Sequence, residues 1–541
     1  MNRRILSPIA LLGAAAVVLA GCADSDSSTG KPPSADEIVA TTKPASGPAD
    51  SVTWMLPAEP ATLDADVDAG DVEDAVLANV CERLFQVQPD YSIEPHLAKS
   101  VQRPKPTSVV YTLRTDVTFH DGSPMTADDV VWSMQRHAEP GADESDEYEG
   151  VKQIRKTGEY EVTVTLEQPD AQFDMRMAGD GGIVWNRKVI DKQGDSFGTP
   201  DSADACSGPY RLEEWKAGTS ITLEAAPDYW DKDREVNTKR LTYRWGAASA
   251  VVNAVNSGEA DGTFLTDPSL VGPLASNDEL NVSYGATTTS WQVFPSRGDG
   301  ALGDARIRTA LSLAMDRDGI ANAAFDGRAE PWKLPVGSGT WGYAPDAFQS
   351  AFDEVENTPA TPSDADLDKA KDLVDQAGAT DPITIATSGS EIQNVMANGV
   401  RTAAAEIGLD VKIKTLSDAQ YSELYASEDA RAKIDGFIGD WYLSKPDPLG
   451  MYDNALPGGV NNYVGFDDPA YAQTFNSAAG EYEDAKRAKL TLDVQEIYMD
   501  NMLSIPLVMT PNTLVTSSKL SGAPVSMAYL TYPWAADLGS A

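Results

Sequence analysis

The stretch GFIGDWYLSKPDPLGMYDN, residues 436–454, brings an apolar run to an end on Asp440, Trp441 and Tyr442, then continues as a loop of prolines, acids and aromatics. Large side chains at such a strand end can wall a binding cleft or equally belong to an ordinary core. A second acidic run, DADVDAGDVED at 64–74, has carboxylates at the first, third and fifth positions of a calcium loop. Its glycine, Gly70, comes one residue late and Ala75 replaces the bidentate Glu, so it is not read as a metal site. The three histidines, His96, His120 and His137, have no ligand or base at a recognisable spacing. CxxC, HExxH, GxSxG and P-loop motifs are absent, and GSGTWG at 337–342 lacks the strand and helix that flank a phosphate cradle. No motif supports an enzymatic reaction, and neither a cofactor nor a metal is expected.

The elements that must hold these groups follow from periodicity. ITIATS, a helical stretch from about Ile392 to Ile407 and LDVKIKTL succeed one another as strand, helix and strand, which predicts a right-handed βαβ unit in a parallel sheet. Ligands of open α/β sheets sit beyond the carboxyl ends of the strands, the position of the run that reaches Trp441. Asp304 can cap ARIRTALSLAMDRDGI, DLDKAKDLVDQAG stops at Gly378, and Thr126 with Asp129 forms a capping box before VVWSMQRH. SVTWML, VVYTLR, YEVTVTL, PYRLEEW and SITLEAA alternate as strands, so the first half is strand-rich. Roughly 490 residues beyond Asp50 exceed one core and predict two or three domains.

Residues 1–21 have the layout of a secretory signal: Arg3 and Arg4, an apolar stretch, then Leu-Ala-Gly before Cys22. Cys22 in that setting resembles a lipobox, which predicts a lipid-anchored protein on the outer face of the cytoplasmic membrane. Residues 22–50, rich in Ser, Thr, Pro, Ala and Asp, read as a flexible tether. The lipid is then the sole membrane attachment. The remaining cysteines, Cys81 and Cys206, lie outside a reducing compartment and are expected to form a structural disulfide. Asp and Glu total 83 against 42 Lys and Arg, a formal charge of -41, so nucleic acid meets net repulsion.

EPATLDAD, VCERLF, YTLRTDVTFHDGSPMTADDVVWSMQR, SGPYRLEEWKAG, DARIRTALSLAMDRDGI and WYLSKPDP, in this order, resemble the peptide/nickel (dipeptide and oligopeptide) class of solute-binding lipoproteins, family 5, which serve ABC importers. The resemblance runs from about Ser51 to the C-terminus. It implies an α/β, two-lobed periplasmic-binding-protein-like fold of the cluster C type. Lobe I would span 51–286 with an extra subdomain at about 66–195, lobe II 287–510, and 511–541 would return to lobe I. It also implies a monomer that closes over a small solute, above all a peptide, and delivers it to a permease and ATPase complex.

In peptide-binding relatives the segment matching residues 439–447 lines the cleft, and an aspartate there pairs with the ligand's α-ammonium. Ser444 occupies that place here. A serine cannot cancel a charge, so Asp440 or an acid of the 64–74 loop supplies the carboxylate, or the ligand lacks a free amino terminus. The expected contacts are Gly439, Asp440, Trp441 and Ser444, with Gly70, Asp71 and Trp291 on the opposing walls. A chelated nickel would need histidines that the Asp447–Pro448 segment lacks. The alternative ligand is an oligosaccharide stacked on Trp291, Trp341, Trp441 and Tyr442; the alternative role is a sensor lipoprotein of the same fold.

Overall fold

The strands pair into two large sheets, one four-stranded sheet and two two-stranded ones in a computed structural model that describes residues 31–34, 37–378 and 381–541. The first sheet orders its seven strands as Leu280–Gly285, Asn512–Ser517, Gly262–Leu265, Val52–Leu56, Arg240–Trp245, Ser220–Ala225 and Tyr210–Lys216. Val52–Leu56 runs parallel to both neighbours and the outer pairs are antiparallel. The second sheet has six strands, Glu330–Pro331, Ile505–Met509, Trp291–Pro295, Gly436–Asp440, Ile383–Thr387 and Val411–Thr415. Ile383–Thr387, helix Glu391–Glu406 and Val411–Thr415 form the expected βαβ unit, parallel from Ile383 opposite Val411 to Thr387 opposite Thr415.

An antiparallel four-stranded sheet, Ala98–Lys105, Ser108–Leu113, Glu161–Leu166 and Val151–Gly158, is inserted into the first lobe. It packs Val109, Tyr111, Val162 and Val164 against Val130 and Met134 of helix Ala127–His137, whose start carries the Thr126–Asp129 capping box. The second lobe has a core of its own, distinct from those around the first sheet. Two short links join the lobes. Residues 286–290 lead from Leu280–Gly285 to Trp291–Pro295, and residues 510–511 lead back from Ile505–Met509 to Asn512–Ser517. Separate cores joined by two short links let the lobes rotate without breaking either core.

The predicted tether is corrected over residues 37–50, which lie along the first lobe. Val39 N–H donates to the Tyr284 carbonyl (2.8 Å), Thr42 to Ala523 (3.0 Å), Ser46 to Ser540 (2.7 Å) and Ala49 to Asn237 (3.0 Å). Backbone pairing requires no apolar periodicity, so composition does not reveal it. The signal segment and Cys22 lie outside the described residues.

Helix Asp71–Val80 buries Val76, Leu77 and Val80 in the core of the first lobe. The chain turns extended at Cys81, which is disulfide-bonded to Cys206 with 4.7 Å between the Cα atoms. Gly208 lies directly against the helix end: a Cβ there would come within 2.4 Å of the Val80 carbonyl oxygen. The bridge therefore pins the helix whose other end carries Asp71. Replacing both cysteines by alanine is expected to cost about 2–4 kcal/mol, because the 125-residue separation is no longer closed in the unfolded chain. Urea denaturation measures this as a lowered midpoint, and a midpoint equal to that of the parent protein would deny the bridge a stabilising role.

Candidate functional site

Successive side chains at a strand end point to opposite faces, which divides the 439–442 segment into two pairs. Asp440 and Tyr442 face the space between the lobes, where a cavity of about 630 Å³, open mouth included, is lined by Asp71, Asp267, Trp291, Asp440, Tyr442 and Asn512 among others. The link residues Thr287, Thr289, Thr510 and Pro511 complete its back wall. Asp71 is the first residue of helix Asp71–Val80, where unpaired backbone N–H groups and the helix dipole favour a carboxylate. Trp291 opens its strand directly opposite Asp440 in the ladder, with its ring 6.4 Å from that of Phe325.

Three carboxylates, Asp71, Asp267 and Asp440, line this cavity, and among the described residues its lining contains no lysine, arginine or histidine. Asp267 is partly engaged, accepting from the Ser269 N–H at 2.9 Å and from its hydroxyl at 2.6 Å. Asp440 meets water in the cavity yet is crowded by protein on its other sides. That burial, with the nearby Asp71 charge, pushes its carboxyl up to about 6. Burial likewise raises Asp71. The shared cause is the protein packed around each carboxyl, to which the neighbouring carboxylate adds for Asp440.

The remaining expected contacts are distributed elsewhere. Gly439 is buried beneath tyrosine hydroxyls, and a Cβ on it would sit 2.4 Å from that of Tyr425, so the glycine serves lobe packing and does not reach the cavity. Trp441, on the same side, packs 6.0 Å from the rings of Phe294 and Tyr425 and lines a separate pocket of the second lobe with Met451, Tyr463 and Tyr498. Gly70 is the N-cap of the Asp71 helix and stays outside the lining. Ser444 lines a neighbouring cavity instead, its hydroxyl donating to Glu147 at 3.2 Å. Trp341 is core, 5.9 Å from the Trp332 ring, so of the four rings considered for a sugar floor only Trp291 and Tyr442 meet the cavity. Asp267, Asn512 and the link threonines are contributions that sequence reasoning missed.

The acids of the 64–74 loop divide between structure and site. Asp64 receives both terminal nitrogens of Arg136, at 2.8 and 2.6 Å, and Asp66 holds His137 Nδ1 at 2.5 Å. These pairs anchor the loop and leave Asp71 for the cavity. Among the described residues no group of three or more His, Cys, Asp and Glu is arranged to hold a metal. On the other wall, Asp447 is fully buried: its Oδ1 accepts the Leu449 N–H at 2.9 Å and its Oδ2 pairs with Arg487. That ion pair fixes the loop behind Tyr442, and Arg487 also covers the Tyr343 ring at 4.2 Å.

Comparison with known proteins agrees with this architecture. The family model for bacterial extracellular solute-binding proteins, family 5, matches residues 92–463. The D,D-dipeptide-binding periplasmic protein DdpA of Escherichia coli, described as probable, is 24% identical over 90% of this chain and 94% of its own. The ABC transporter substrate-binding protein CtaP of Listeria monocytogenes superposes with a TM-score of 0.78 at 20% identity, over 91% of this chain and 99% of its own. The oligopeptide-binding protein AppA of Bacillus subtilis, solved with a nonapeptide, gives 0.72 at 20% identity over 92% and 100%. At these identities the solved structures show the two-lobed periplasmic-binding-protein fold. With the family model spanning the inserted sheet, the 286–290 link and the 436–442 strand end, this chain belongs to the family 5 bacterial extracellular solute-binding proteins.

Proposed function

We propose that the protein captures peptides outside the cytoplasmic membrane by their free α-ammonium group, held between Asp440 and Asp71, and delivers them to an ABC permease. The observation that carries this reading is the pair of crowded carboxyls facing a cavity whose described lining has no basic side chain. An ammonium entering there supplies the missing countercharge and gains charge-assisted hydrogen bonds that strengthen as closing lobes would exclude water. Trp291 and Tyr442 would cover the first side chain of the peptide, and Asp440 would do the work for which Ser444 is chemically unsuited. Rotation about the two links would bring the Asp71 wall onto the Asp440 wall, so ligand charge favours the closed form over the open one. The Leu-Ala-Gly-Cys sequence supports an acylated Cys22 that keeps the protein at the membrane surface beside its permease.

Calorimetry with one short peptide, free and N-acetylated, tests the reading. Acetylation removes the charge and is expected to weaken binding by roughly 30-fold or more, the loss associated with one partner of a close charge pair. Equal affinities would count against ammonium recognition and return a solute without a free amino terminus to first place.

A further inference from the structure

A second cavity, about 670 Å³ with its mouth included, adjoins the first and shares Tyr442 with it. Its lining holds the acids Asp74, Asp143, Glu144, Asp146, Glu147 and Asp180 against two cations, Arg176 and Lys445. Both cations are engaged. Lys445 Nζ donates to the two carboxylate oxygens of Glu147 at 2.8 and 2.7 Å, and Arg176 pairs with Asp170 at 2.8 Å. Asp180 in turn pairs with Arg83, and Asp143 accepts the Ala69 N–H at 2.9 Å. Among the described residues neither Asp74 nor Glu144 forms an ion pair of its own, Arg83 being committed to Asp180. Asp74 is only 7% exposed, and its carboxyl and that of Asp180 share a hydrogen bond that needs a proton between them, the buried Oδ1 of Asp74 and Oδ2 of Asp180 having no other partner.

A cluster of acids on a surface is ordinarily solvated, but here the walls exclude water from part of it. Burial and then the Asp180 charge raise the Asp74 carboxyl well above the usual range. Glu144 is pushed up to about 9 by burial and by its acidic neighbours, Asp180 first. Such groups retain protons because burial and the neighbouring acids outweigh cations that are already paired elsewhere, and a cation seated among them would take the protons' place. Asp71 and Asp74 stand three residues apart on one helix, roughly 5–6 Å between Cβ atoms, and each lines a different cavity. The α-ammonium and the side-chain cation of a single N-terminal residue can span that separation.

We infer that the second cavity is a subsite for the guanidinium or ammonium side chain of the ligand's first residue, so that the preferred cargo is a peptide beginning with Arg or Lys. This inference rests on the α-ammonium reading given above. Asp74 and Glu144 would receive the side-chain cation, Asp180 would hold Asp74 in place, and Tyr442 would lie between the two charged ends.

Calorimetry on the full chain with Arg-Ala-Ala, citrulline-Ala-Ala and N-acetyl-Arg-Ala-Ala tests it. Citrulline keeps the shape of arginine without its charge, so the arginyl peptide is expected to bind at least roughly tenfold more tightly. The ratio should fall toward one in Asp74→Asn, and also in Glu144→Gln, which replaces a less buried acid and serves if the first variant does not fold. Equal affinity for arginyl and citrullyl peptides, with acetylation still harmful, overturns the second subsite and leaves the first. An acetylated arginyl peptide that binds as well as the free one overturns the α-ammonium reading. Failure of all three to bind overturns both.

Discussion

Asp440→Asn is expected to reduce affinity for a free peptide by roughly 30- to 700-fold, equivalent to about 2–4 kcal/mol for removing one member of a desolvated charge pair. The amide keeps the shape and most hydrogen bonds but supplies no charge, and Asp71 alone must then face the ammonium from the opposite lobe. Binding by the parent protein should weaken as pH falls below about 6, where the Asp440 carboxyl takes up a proton that the ligand must displace. Asp71, also raised by burial, titrates in the same direction, so the Asn variant should show a flatter profile with a residual slope.

Stability without ligand should move oppositely. A carboxyl whose folded-state value lies above its unfolded value binds more protons when folded, so stability falls as pH rises through the window between an ordinary Asp and about 6. Asn removes that loss, and the variant should be slightly more stable than the parent at pH 7. Weak binding by a more stable protein separates lost recognition from misfolding. Unchanged affinity at pH 7 would remove Asp440 from the site.

Arg487→Met should cost about 3–5 kcal/mol, since it leaves the buried Asp447 carboxylate without its countercharge. The Arg487 and Asp447 side chains are 4% and 0% exposed, so water cannot replace the lost partner. Loop residues 443–448 depend on this pair through the Asp447 cap on Leu449, and their release would also disturb the Ser444 and Lys445 contacts with Glu147. Adding Asp447→Asn to Arg487→Met should recover part of the loss, because no buried charge then remains. Urea midpoints for the two singles and the double measure the coupling. A single variant within about 0.5 kcal/mol of the parent would mean that the pair is solvated in solution.

Much of this architecture was legible because local signals and the fold agree. The 383–415 βαβ unit, the Thr126 capping box, the Asp304 cap and the αL stop at Gly378 each rest on short-range geometry that a sequence displays directly. The cleft was legible only at its strand end. Counting Gly439 and Trp441 with Asp440 overlooked the two-residue period, which sends them into the lobe and would have brought Tyr442 forward with Asp440. Asp267, Asn512 and the threonines of the links carry no pattern of their own and become neighbours only when the two lobes face each other. Residues 37–50 are held through backbone groups, to which composition is blind. The crowding of Asp74 is set by residues 144 and 180, distant in sequence, and no spacing within the 64–74 loop reveals it.

The most direct measurement is a crystal structure of the protein isolated with its natural ligand. The account predicts closed lobes, with a cationic nitrogen of the ligand within about 3 Å of the Asp440 carboxylate and Asp71 approaching from the other side. A ligand that presents a neutral or anionic group there, or one seated away from the two link segments, would contradict it.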